Sequence, residues 1–236
     1  MKGGWMLWLI GVPLVLAAAG YLIWQVRYPT YTYRFRMTVE VNTPEGLATG
    51  SSVYEVQAER TTTFMTGNDR HWGSRGEAVA VDLPGGRTLF ALLKTSAHFG
   101  DMAGLSMNSL HPGFPGTGYD VVGVAKELSK GMHKGPAEVA PADYPMLVTF
   151  GDLGDPTSVA LVDPDDLAAS FDEGVSLKRI TVQITRDPVT TGIEQRLGWL
   201  PAHIGSLVRR PNNVPIGNMP IEQRLNRTDF RSGVSQ

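Results

Sequence analysis

Residues 5–26 read Trp-Met-Leu-Trp-Leu-Ile-Gly-Val-Pro-Leu-Val-Leu-Ala-Ala-Ala-Gly-Tyr-Leu-Ile-Trp-Gln-Val. Nothing in this stretch ionises near neutral pH. At about 1.5 Å of rise per residue it makes a helix of roughly 33 Å. The hydrocarbon core of a bilayer is about 30 Å thick. A segment in lipid must satisfy its own backbone groups, which a helix does. Trp5 and Trp8 mark one end, and Tyr21, Trp24 and Tyr28 the other. Such rings favour the headgroup level. Pro13 removes one internal hydrogen bond, which spanning helices tolerate. The expectation is a short tail (1–4), a transmembrane helix (5–26) with the lipid bilayer as partner, and a folded part on one side.

A cleaved signal peptide competes with this reading. Lys2 is a minimal charged start, and Ala17-Ala18-Ala19 resembles a cleavage site. Cleavage there would leave Tyr21-Leu22-Ile23-Trp24 as an apolar tail, which argues for an uncleaved anchor. Lys2 lies on one side, and Arg27, Arg34 and Arg36 on the other, so charge does not fix the orientation. A large domain after a short tail translocates despite local charge. The expectation is single-pass membrane localisation with an extracytoplasmic domain. No cysteine is present, so neither a disulfide nor a lipidated cysteine contributes.

Beyond the anchor, 27–200 is expected to be one β-rich globular domain and 201–236 a Pro, Gly, Asn and Arg-rich surface or disordered tail. Tyr31, Tyr33, Phe35, Met37, Val39 and Val41 alternate with polar residues, the mark of a half-buried strand. A second strand is expected from Ser51 to Arg60, after a connection of seven or eight residues through Thr43-Pro44-Glu45-Gly46. Residues 61–76 read as a loop. Glu77–Leu83 and Arg87–Lys94 read as strands joined at Pro84-Gly85-Gly86, where glycine permits a tight turn. Residues 95–120 show no periodicity and read as a long loop, the first place to seek a site. A short helix is expected from Val121 to Lys130, ended by Gly131. Strands follow at 146–150, 158–162 and 177–186. Asp163-Pro164-Asp165-Asp166 reads as a helix start running to Phe171. Thr191-Gly192-Ile193-Glu194 reads as a capping box. The fold class is therefore α+β, β-rich, with a mainly antiparallel sheet or sandwich and two or three short helices.

Charge is unevenly spread. Residues 137–175 carry nine acidic side chains and no Lys or Arg; residues 176–236 carry nine basic and four acidic ones. Solvated loops and helix caps account for such runs. The basic excess at the C-terminus is too dilute for a nucleic-acid footprint, so no nucleic-acid partner is expected. Ile-Glu-Gln-Arg-Leu occurs twice, at 193–197 and 221–225, without matching flanks.

Chemical motifs are few. The histidines at 71, 98, 111, 133 and 203 include no pair at zinc-ligand spacing. Asp152, Asp155, Asp163, Asp165 and Asp166 are hard oxygen donors for calcium, but not at EF-hand spacing. There is no Gly-x-Ser-x-Gly elbow and no Ser-x-x-Lys pair. A triad could assemble from His98 or His111, Ser106 or Ser109, and Asp101 or Asp120, since triads are defined by geometry. Phosphate-binding fingerprints are absent, and no cofactor is expected. Asn226-Arg227-Thr228 matches a glycosylation acceptor. Three functions remain open: a membrane-anchored binding or assembly module with a protein partner, a tethered hydrolase using the 95–120 loop, and a calcium-linked structural domain.

Overall fold

The alternation in residues 31–41 becomes strand β1 (Thr30–Thr43), the centre of the larger sheet. Tyr33, Phe35, Met37, Val39 and Val41 are all buried on one face. The computed structural model describes residues 12–21, 29–60, 70–95, 101–111, 114, 120–131, 135–210, 215 and 219–233. β1 pairs with β2 (Gly46–Arg60) on one side and β9 (Ser176–Thr185) on the other. With β3 (Arg70–Glu77), β6 (Ala137–Glu138) and β10 (Arg231–Ser232) they form a six-stranded sheet, order β10-β3-β2-β1-β9-β6. The second sheet has the order β4-β5-β7-β8, from β4 (Val79–Leu83), β5 (Arg87–Thr95), β7 (Pro145–Phe150) and β8 (Val159–Val162). Among the described residues every pairing is antiparallel. The β-rich α+β expectation holds at this level.

Several boundaries differ from expectation. The β1–β2 connection is Pro44-Glu45 alone, because Thr43 pairs with Gly46. The Thr43 hydroxyl donates to the Gly46 carbonyl at 2.8 Å and accepts from the Glu45 amide at 3.2 Å, closing the turn. Part of the expected 61–76 loop is β3. Its residues are poor strand formers, but the open ladder of β2 recruits them, and sheet context overrides propensity. Between β3 and β4, Ala78 breaks away to donate its amide to the Phe230 carbonyl at 2.8 Å.

The expected 95–120 loop contains helix α2 (Met102–Leu110). Met102, Ala103, Leu105, Ser106, Met107 and Leu110 are all buried. A helix enclosed on most sides has no polar stripe, so its 3.6-residue period is hidden. Helix α3 (Val121–Ser129) matches the expected element and packs against β1 and β2. The helix expected at 163–171 shrinks to a 3-10 turn at Leu167–Ala169. Asp163 and Asp166 each accept a nearby backbone N–H, from Asp165 and Ala169. Such local bonds compete with a continuous helix.

The C-terminal part is not a mere surface tail. Leu207, Met219, Leu225 and Phe230 are buried. Short helices α4 (Ile221–Arg224) and α5 (Arg227–Phe230) precede β10. The Phe230 ring lies 5.9 Å from Phe150 and 5.8 Å from Trp199. Both copies of Ile-Glu-Gln-Arg-Leu form a single helical turn. Leu197 donates to the Ile193 carbonyl at 2.9 Å, and Leu225 to that of Ile221 at 3.0 Å. Both leucines are fully buried, so each copy drives one leucine into the core.

Of the expected span 5–26, residues 12–21 form helix α1, with exposed side chains. The rest of the span lies outside the described residues. Among the described residues no helix is long and apolar enough to cross a membrane. The finer expectation of a transmembrane helix therefore has no support from helix length.

The two sheets meet most closely where β2 passes β4. A Cβ on Gly50 would lie 2.2 Å from the Ala80 carbonyl oxygen and 3.0 Å from a Val81 methyl. Backbone cannot yield as a side-chain tip can. Gly50→Val should therefore destabilise the domain by about 2–3 kcal/mol or more, the usual range for overpacking. Chemical denaturation followed by far-ultraviolet circular dichroism would measure it, with Gly46→Val at the exposed hairpin turn as a control for glycine strain without crowding.

Candidate functional site

An open groove of about 570 Å³ lies between α3 and the start of β1. Pro29, Tyr31, Arg60, Asp120, Lys126, Glu127 and Lys130 are among its lining residues. Each element places its side chains for a local reason. Val121, Val124, Ala125 and Leu128 bury one face of α3, which leaves Lys126 and Glu127 towards the groove. Lys130 caps the helix C-terminus, where the dipole favours a cation. Arg60 ends β2 beside Thr30, because Thr30 is paired with Glu59.

The groups inside the groove are tied together. Arg60 pairs with Asp120 at 3.5 Å. Gly123 makes that possible: a Cβ there would stand 2.7 Å from Asp120 Oδ2. The Lys126 ammonium lies 5.9 Å from the centre of the Tyr31 ring, within cation–π range. Glu127 pairs with His111 Nε2 at 3.0 Å. His111 Nδ1 is buried without a hydrogen-bond partner. Among the described residues no carboxylate pairs with Lys126 or Lys130.

The expected triad residues occupy separate places. Ser106 is buried within α2; its hydroxyl lies 2.7 Å from Tyr33 Oη and donates to the Ala103 carbonyl at 2.9 Å. Its proton is committed to Ala103, so it accepts from Tyr33. Burial pushes the Tyr33 phenol well above its ordinary range. Asp101 caps α2, accepting from the Gly104 amide at 2.8 Å. Burial raises its carboxyl above the usual range, with bonds from Gly104, Trp72 and Ala103 opposing. Ser109 donates to the Leu105 carbonyl at 2.9 Å. His98 lies outside the described residues. Among the described ones, only Asp120, with His111 behind Glu127, reaches the groove.

The acidic stretch is engaged in turns. Asp152 accepts from the Gly154 amide, Asp155 from the Thr157 amide, Asp163 from Asp165 and Asp166 from Ala169. Asp165 is exposed. Among the described residues no three His, Asp or Glu side chains are grouped to hold a metal ion. Tyr31, Arg60, Lys126, Glu127 and Lys130 escaped the sequence reading. The spacing of Lys126 and Lys130, four apart on a helix with an apolar stripe, is the signal that could have found them.

No family model, curated protein or solved structure matches this chain.

Two outcomes test the α2 assignments. Ser106→Ala should cost about 1–3 kcal/mol, because it strands the Tyr33 hydroxyl in the core. The double change with Tyr33→Phe should cost less than the sum of the single ones, measured as a denaturation cycle. Asp101→Asn keeps the cap and removes a buried charge. A carboxyl raised on folding favours the folded state fully below its unfolded pKa, and that contribution is lost as pH rises through the folded value. The variant should thus match or exceed the parent in melting temperature at pH 7, with its relative advantage disappearing towards pH 3.

Proposed function

We propose that the chain is a single-pass, membrane-anchored binding or assembly module, held in the bilayer by residues 5–26, with its two-sheet domain on the extracytoplasmic side. The exposure of α1 carries this reading. Leu14, Val15 and Leu16 are 64%, 68% and 67% exposed. Of eight large exposed apolar residues among those described, five (Val12, Leu14, Val15, Leu16 and Tyr21) belong to this helix. Water penalises such surface by about 25 cal/mol per Å², and hydrocarbon removes the penalty. The domain, by contrast, leaves only Leu47, Leu161 and Ile204 of its described large apolar residues exposed and packs the buried ones in one core.

Binding rather than catalysis is favoured by the way the reactive groups are used. The Ser106 hydroxyl is committed to two partners in the core, and His111 is held by Glu127. The groove at β1 offers cations and a tyrosine face, suited to recognising an anion or a protein surface.

The full chain should float with lipid vesicles in a density gradient and resist extraction by alkaline carbonate. Leu14→Asp with Leu16→Asp places two carboxylates mid-span, each costing about 2.5–3.5 kcal/mol. That variant should shift to the soluble fraction while keeping the β signature in circular dichroism. A parent chain that stays at the bottom of the gradient would overturn the reading.

A further inference from the structure

We infer that the groove formed by Tyr31, Arg60, Lys126 and Lys130 is a contact surface for anionic lipid headgroups. This rests on the anchored reading above, and it adds a site and a ligand chemistry to it. Chain length makes the first argument. Val26 ends the apolar segment, and Pro29, three residues later, lines the groove. Three residues span at most about 10 Å. The headgroup layer adds roughly 5–8 Å to each face of the hydrocarbon core. With residues 5–26 in the bilayer, the rim of the groove is therefore confined to the headgroup layer or its immediate edge.

Charge makes the second argument. The groove holds three cations and two carboxylates, and both carboxylates are already engaged, Asp120 by Arg60 and Glu127 by His111. Lys126 and Lys130 have no ion-pair partner among the described residues, are exposed, and stand one helical turn apart on the same side of α3. Their long stems can reach along the apolar rim while the ammonium groups meet phosphate. Tyr31 contributes an amphipathic ring of the kind that sits at the interface. Lipid phosphate bound here would hold α3 against the membrane and fix the tilt of the sheet.

Full-length protein in nanodiscs tests this, with lysine acetylation rates read by peptide mass spectrometry. Lys178 is the internal control. It sits beside Glu40, about ten residues or 34 Å along β1 from the groove. In phosphatidylcholine discs containing phosphatidylserine, Lys126 and Lys130 should label about fivefold more slowly than in phosphatidylcholine alone. High salt should restore the rate by screening, and Lys178 should not change. Equal rates in both lipids, with the protein still floating on vesicles, would overturn the headgroup surface and leave the anchor standing. Equal slowing by inorganic phosphate in phosphatidylcholine discs would overturn it in favour of a site for free phosphate. Failure to float at all would overturn the anchor, and this surface with it.

Discussion

Everything in the domain is built on the two-sided character of β1. Its odd-numbered residues from Tyr33 to Val41 are buried, so the strand cannot slip by one position without exposing all of them. That fixed register sets β2 on one side and β9 on the other. It places Phe35 opposite Tyr54, whose rings stack 5.1 Å apart. It also sets the Tyr33 hydroxyl against Ser106, which locks α2 over the same end of the sheet. The groove exists because α3 closes over this end, where β1 begins.

The opposite face of the sheet uses charge for the same purpose. Arg34, Glu55 and Arg75 lie in one cross-strand row, with both guanidinium groups on the single carboxylate at 2.7 and 2.8 Å. Burial alone would raise the Glu55 carboxyl, but the two arginines outweigh it and hold it below the usual range. Arg179 and Lys178 do the same for Glu40. These rows are solvent-facing and individually weak. Their effect is on register, because a slipped strand would set like charges opposite each other. Cations are thus paired across this face, while Lys126 and Lys130 in the groove form no ion pair with a described carboxylate. That contrast distinguishes a sheet ornament from a surface with unspent charge.

Sequence patterns made the sheet legible where one face was wet and one dry. β1, β5, β7, β8 and β9 follow from alternation or short apolar runs bounded by turns. The reading failed where tertiary context replaced local signal. β3 contains Gly73 and Gly76 and is a strand because β2 needs a partner; at Gly76 a Cβ would collide with the Tyr54 ring at 2.5 Å. α2 shows no stripe because it is enclosed. The candidate site was half visible. Asp120 and His111 are of residue types that carry chemistry, but the groove is assembled from the ends of β1 and β2 and the exposed side of α3. Strand residues that lie sixty or more positions from those of α3 carry no mutual signal with them in a single chain. Neither His111 nor Ser106 revealed in advance that its partners would be Glu127 and Tyr33.

The last described strand has a consequence for how the molecule is made. Ala78 hands its amide to the Phe230 carbonyl, Phe230 is wholly enclosed beside Phe150 and Trp199, and β10 pairs with the end of β3. The core therefore lacks the Phe230 ring and the β10 pairing until the polypeptide has been synthesised through Ser232. The β1–β2 hairpin, with its two-residue connection, can form early. Closure of this edge waits for residues near 230, so a chain lacking them leaves the Phe150 and Trp199 rings without their shared aromatic partner.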